Sequence, residues 1–128
     1  MPNKAKFYVL LSHKLQEIQI DAVETMGLEI VDVPKSLLEL WKQVDLPVSE
    51  HIKPIMDYLE SVLTPQDSVL IQGHAGATYL TVNRVKSLGA TALYAHSPRI
   101  NLGDEVIASD TTLSKKKFVH KQFWEYGV

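Results

Sequence analysis

The sequence predicts an α/β domain, Rossmann-like, with a mostly parallel sheet flanked by helices and an antiparallel hairpin at its C-terminal side. Two observations carry this reading. Short apolar, β-prone runs alternate with longer stretches whose apolar residues recur every 3 or 4 positions, and glycine or proline punctuates the boundaries. Parallel neighbours require crossover connections of helical length, so this alternation implies a parallel sheet with helices on its faces.

The first run, Phe7 to Leu11, is bounded by polar residues, as expected of a strand buried on both faces. Leu15, Ile18, Ala22 and Met26 then mark a helix, with Gly27 as its left-handed stop. Glu29 to Val33 reads as a second strand that Pro34 ends. Ser36 and Glu39 have the spacing of a capping box, opening a helix through Leu37, Leu40, Trp41 and Val44. After Pro47 another helix carries the stripe Ile52, Ile55, Met56, Leu59, Val62 and Leu63; Pro54 lacks an amide and belongs in its first turn. Ser68 to Gln72 is the third strand. Ala77, Leu80, Val85 and Leu88 define a helix closed by Gly89, and Thr91 to Ala95 is the fourth strand. From Phe118 to Tyr126 apolar and polar residues alternate as in an extended strand, which is expected to pair with Glu105 to Ala108. The chain is thus read as one domain, 1–128, with a core over 7–103 and a hairpin over 104–128.

At 128 residues and 45% hydrophobic content, the chain can bury one compact core but not build two independent domains. A formal charge of -2 argues against a protein that coats long nucleic acid by bulk charge. The absence of cysteine removes disulfides and thiolate metal sites, and no apolar run is long enough for a signal peptide or a membrane span. The expected compartment is the cytoplasm, with no membrane partner.

Ligands of open α/β sheets bind beyond the carboxyl ends of the strands. Three segments should meet there: Ser12, His13 and Lys14; the turn Gln72, Gly73, His74, Ala75, Gly76, Ala77 and Thr78; and His96, Ser97, Pro98 and Arg99. None contains a carboxylate, so the rim tolerates an anion. Gly73 and Gly76 let backbone approach a ligand, and amides at the next helix N-terminus can donate to an oxyanion. Equally, Gly73 suits a tight strand-to-helix turn and Gly76 a close helix contact. The spacing matches neither the dinucleotide fingerprint nor the P-loop. His13, His74 and His96 fall at strand ends, where imidazole can serve as acid, base or phosphate donor, whereas His51 and His120 read as surface residues. A metal-ligand role ranks lower, because no carboxylate accompanies the three and no H-x-H or H-x-x-x-H spacing occurs. Ser12 is as well suited to capping the first helix as to touching a ligand. Arg99, after Pro98 on a short loop, suits a charge-assisted phosphate contact. The run Ser114 to Lys117 reads as a solvated strand edge.

The segments "LLSHKL", "DAVETMGLEIVDVP", "VLIQGHAGATYLTVN" and "LYAHSPR", with the Trp41 helix, resemble the small stand-alone CRISPR-associated proteins of type III systems. These are related to the CARF sensor domains, and members are regarded as ring nucleases. The resemblance spans roughly residues 7–125. It implies a homodimer that binds a cyclic oligoadenylate, most readily the tetra-adenylate, across its two-fold axis and lowers the level of that messenger. The family pattern has an acidic residue where this chain has His74, and threonines at His96 and Ser97. Adenine rings would need apolar or aromatic pockets, for which Tyr79, Tyr94, Phe123, Trp124 and Tyr126 are candidates; for Tyr94, on a central strand, core packing is the expected role.

The implied reaction is metal-independent and needs no cofactor. The ribose 2'-hydroxyl attacks the adjacent phosphate in line, releasing a 5'-hydroxyl and leaving a 2',3'-cyclic phosphate. Ser12, His13, His74, His96 and Arg99 are the catalytic candidates; Ser12, Lys14, Gln72 to Thr78, His96, Ser97 and Arg99 are the binding candidates, with the Gly76 to Thr78 amides and Arg99 facing the phosphorane. A non-catalytic binder that sequesters the messenger would use the same rim. A nucleotide-processing enzyme unrelated to CRISPR is the third reading.

Overall fold

The computed structural model describes residues 4–96 and 122–128. A five-stranded sheet has the order β2-β1-β3-β4-β5, formed by β1 (Lys6–Leu10), β2 (Glu29–Asp32), β3 (Ser68–Ile71), β4 (Thr91–Ala95) and β5 (Phe123–Glu125). The first four strands are mutually parallel, and β5 runs antiparallel against β4. The helices are α1 (Glu17–Thr25), α2 (Lys35–Lys42), α3 (Val48–His51), α4 (Lys53–Val62) and α5 (Ala75–Ser87).

The two-residue period of the strands sorts their side chains into two cores. Tyr8, Leu10, Val69, Ile71 and Ala92 meet Trp41, Ile55, Leu59 and Val85 from α2, α4 and α5. Phe7, Leu70 and Leu93 meet Ala22 and Val23 of α1 and Phe123 of β5, with the Phe7 and Phe123 ring centroids 5.1 Å apart. Every residue of β3 is buried, as a central parallel strand covered on both faces requires. Asp67 fixes its start: one carboxylate oxygen accepts from the Lys6 amide and the other from the Thr64 amide, both at 2.9 Å. This side chain locks the register of β1 against the turn before β3.

The helix boundaries follow local chemistry, not always as the sequence suggests. Gly27 and Gly89 close α1 and α5 with φ of 78° and 80°. Ser12 does not cap α1; Gln16 occupies that position, and its amide donates to Gln19 Oε1 at 2.9 Å. The Ser36–Glu39 capping box does not form. Pro34 is extended at the N-cap, its carbonyl accepts the Leu37 and Leu38 amides, and Ser36 already lies inside the first turn. The helix expected after Pro47 is two, separated at Ile52 (φ -91°, ψ 2°). The break puts Pro54 in the first turn of α4, where a missing amide leaves no bond unmade. Glu105–Ala108 lies outside the described residues; the observed partner of β5 is β4.

Candidate functional site

The register brings the strand ends together. Leu10 lies beside Ile71 and Leu70 beside Leu93, and the Gln72 amide donates to the Leu10 carbonyl at 3.2 Å. Ser12–Lys14, Gln72–Thr78 and His96 therefore leave three adjacent strands at one edge of the sheet. From β1 the chain turns outward to β2 and then returns to β3 on the other side, so the strand order reverses between β1 and β3, where open α/β sheets form their crevice. Ser97 and Arg99 lie outside the described residues.

The glycine turn is shaped first by the fold's own side chains. A Cβ on Gly73 would lie 2.7 Å from Trp41 Nε1, and that indole, 2% exposed, donates to the Gln72 carbonyl at 2.9 Å. Gln72 Oε1 accepts from the Ala95 amide at 3.0 Å, so Gln72 links β3, β4 and α2. A Cβ on Gly76 would stand 3.3 Å from His74 Cε1. The space Gly76 leaves is used by the His74 ring, whose Nδ1 accepts from the Ala77 amide at 3.3 Å and caps α5. The Thr78 amide donates to the His74 carbonyl at 2.8 Å. Two of the amides expected to face an anion, those of Ala77 and Thr78, are thus engaged within the helix. Those of Ala75 and Gly76 have no partner among the described residues, as is common for donors at a helix start. Thr78 Oγ1 is buried with no hydrogen-bond partner among the described residues.

The three histidines stand in different settings. His13 is exposed, and its Nδ1–H donates to the Lys14 carbonyl at 3.1 Å, leaving Nε2 as an acceptor. His74 uses Nδ1 as an acceptor, so its neutral ring carries the proton on Nε2. His96 is half-buried and stacks on Trp124, with centroids 3.6 Å apart at 11°. Its amide donates to the Gln122 carbonyl at 2.8 Å. Tyr94 packs edge-on to Trp124 and lies 4.8 Å from the Tyr126 ring. Trp124 is 42% exposed and Tyr79 68%, whereas Phe123 is buried. His51 departs from the surface role expected of it: it is half-buried, and Nε2–H donates to the Leu40 carbonyl at 2.8 Å. Among the described residues no three His, Asp or Glu side chains gather as a metal set.

A cavity of about 770 Å³ opens on the other flank of β1, between the ends of β1 and β2 and the helices α1 and α2. It shares His13 and Lys14 with the rim and adds Asp32, Lys35 and Lys42, none of which the strand-end argument singles out. The helical spacing of Lys35, Leu38 and Lys42 was their only signal in the sequence.

Residues 5–124 match the family model described as the uncharacterized protein MJ1673 family. The chain belongs to that family. Within it, the uncharacterized protein MJ1673 of Methanocaldococcus jannaschii is 35% identical over 127 residues, covering 95% of this chain and 97% of the relative. No solved structure matches the chain. Among the described residues of this family member, no helix is long and apolar enough to cross a membrane.

Proposed function

We propose that this chain is a CARF-type, Rossmann-like ring nuclease of type III CRISPR systems, binding cyclic tetra-adenylate and cleaving it without a metal. One observation carries the reading: His13, Lys14, His74, the open Ala75 and Gly76 amides and His96 share the strand-end edge around the reversal of strand order, in segments free of carboxylates. Such an edge suits phosphates. Trp124, 42% exposed and stacked with His96, offers an aromatic group at this edge for contact with a base. A homodimer would present the edge twice to a ligand that is itself symmetric.

RNA supplies its own nucleophile here. The protein's part is to hold the 2'-hydroxyl in line with the phosphate, to donate hydrogen bonds to the phosphorane, and to move one proton off the 2'-oxygen and one onto the leaving 5'-oxygen. Nε2 of His13 is set to accept a proton and Nε2–H of His74 to donate one, from the hydrogen bonds each ring already makes. A sequestering binder is the second reading, favoured by the ties that hold His74 as a cap and His96 against Trp124.

Incubating the protein with cyclic tri-, tetra- and hexa-adenylate, with and without chelator, followed by chromatography, separates these readings. Expected are linear products with 2',3'-cyclic phosphate ends, unaffected by chelator. Intact rings bound to excess protein would establish the binder, and loss of activity with chelator would overturn the metal-free route. Among single variants, Arg99→Ala should weaken both binding and rate. At least one of His13→Ala, His74→Ala and His96→Ala should bind normally yet cleave about 100-fold more slowly.

A further inference from the structure

We infer that the cavity between β1 and β2 is a binding site of its own, for a nucleoside monophosphate. Its volume of about 770 Å³ lies in the range of small-molecule sites. It is far larger than an inorganic anion needs. Val9, Leu11, Ile30 and Leu38 give it an apolar body suited to a planar base.

Its charges are arranged around that body. Lys35, Leu38 and Lys42 lie at i, i+3 and i+7 on α2, so one helix face presents two ammonium groups with a leucine between them, about 10 Å apart along the axis. Lys14 adds a further ammonium donor from beyond the end of β1, beside His13. No ion pair engages Lys14, Lys35 or Lys42 among the described residues, although Lys53 and Arg84 elsewhere are paired. The first turn of α2 contains no acidic residue, and no side chain caps it, which leaves further donors at the same wall. Together these groups suit a phosphate. Among the described residues Asp32, at the end of β2, is the single carboxylate lining the cavity, and it is likewise unpaired. A lone carboxylate in a cationic site repels phosphate but accepts hydrogen bonds from a vicinal diol. A ligand with a base, a ribose and one phosphate meets all three requirements. A free phosphate leaves the body empty, and a nucleoside leaves the lysines unused.

This inference is independent of ring cleavage. Calorimetric titration with AMP, adenosine and inorganic phosphate, at low and high salt, tests it. AMP should bind at least about 10-fold more tightly than either fragment, and more weakly as salt rises. Lys35→Ala/Lys42→Ala, two exposed positions whose change should leave the thermal melt intact, should lose about 10-fold or more in AMP affinity. The 2',3'-dideoxy analogue should bind about 10-fold more weakly than AMP to the parent, and Asp32→Asn should shrink that difference. Phosphate binding as tight as AMP, or no heat with AMP at all, would overturn the assignment. So would AMP binding that survives in the double-lysine variant but is lost in His74→Ala, because the ligand would then sit at the strand-end rim. AMP bound in the cavity by a protein that leaves every cyclic ring intact would sustain this site while sinking the nuclease reading.

Discussion

Substituting Gly73 by alanine tests what the glycine turn is for. The new methyl would lie 2.7 Å from Trp41 Nε1 and 3.0 Å from Cε2, inside contact distance for either atom. Trp41 is 2% exposed and walled in by the core of α2, α4 and α5, so it has little room to retreat. Overpacking of this kind costs about 1–3 kcal/mol. If the indole shifts, the 2.9 Å bond to the Gln72 carbonyl lengthens and adds about 1 kcal/mol. The expected total is about 2–4 kcal/mol, or about 6–12 °C in Tm for a domain of this size. Urea titration followed by tryptophan emission measures it, in a Trp124→Phe background so that Trp41 alone reports. Because the clash is with the indole, Trp41→Phe should relieve it, and in that background, followed by circular dichroism because its reporter tryptophan is gone, Gly73→Ala should cost under about 1 kcal/mol. A Gly73→Ala protein within about 0.5 kcal/mol of the parent, with Trp41 emission unchanged, would refute the steric argument. Loss of ligand binding without loss of stability would mean that the turn serves the ligand instead.

Asp67→Ala removes the acceptor of two backbone amides at a buried position and should destabilise by about 2–4 kcal/mol, read as a lower urea midpoint with unchanged slope. Burial raises the phenol pKa values of Tyr8, Tyr58 and Tyr126 above the ordinary value of 10.0, with nearby Asp67 adding to the effect at Tyr8 and Tyr94 at Tyr126. The folded chain holds these protons more tightly than the unfolded chain does. Stability is therefore intact below pH about 10 and falls as pH rises through the raised folded values, which urea titrations from pH 7 to 11 would trace. Tyr126→Phe loses the 2.6 Å bond from its hydroxyl to the Ile71 carbonyl, costing about 1 kcal/mol at pH 7, and should make the alkaline decline shallower. Trp124→Ala removes the stack with His96 and the edge contact with Tyr94, costing about 1 kcal/mol. On the proposed function it also weakens cyclic tetra-adenylate binding about 10-fold, as a filter-binding assay would read.

Much of the fold was legible because apolar periodicity reports burial directly. The four parallel strands fall within one residue of their expected bounds, and Gly27 and Gly89 stop their helices as the left-handed region requires. What the sequence left open were partners. Alternation from Phe118 to Tyr126 marks an extended strand, but a two-residue period carries no information about which neighbour it pairs with, and Phe123–Glu125 pairs with β4. Capping failed for a similar reason. Ser-x-x-Glu is a spacing that Pro34, by taking the N-cap itself, made unusable. At the rim, the glycines were legible as places of close approach, while the approaching groups, Trp41 and His74, come from α2, 31 residues before Gln72, and from the turn itself. The cavity went unread because the β2-to-α2 turn that Asp32 and Lys35 flank carries only Pro34, read as a strand stop, and Lys42 lies two turns further along α2.

The hydrogen bond from the His96 amide to the Gln122 carbonyl has a consequence for how this domain can vary. His96 and Gln122, the two described residues that flank 97–121, are held together by this bond, so the sheet requires of the chain between them only that its two ends meet. Closing a flexible loop grows in cost with the logarithm of its length, about 0.6 kcal/mol for each doubling. A segment lengthened between His96 and Gln122 is therefore expected to cost little as long as β4 and β5 stay paired.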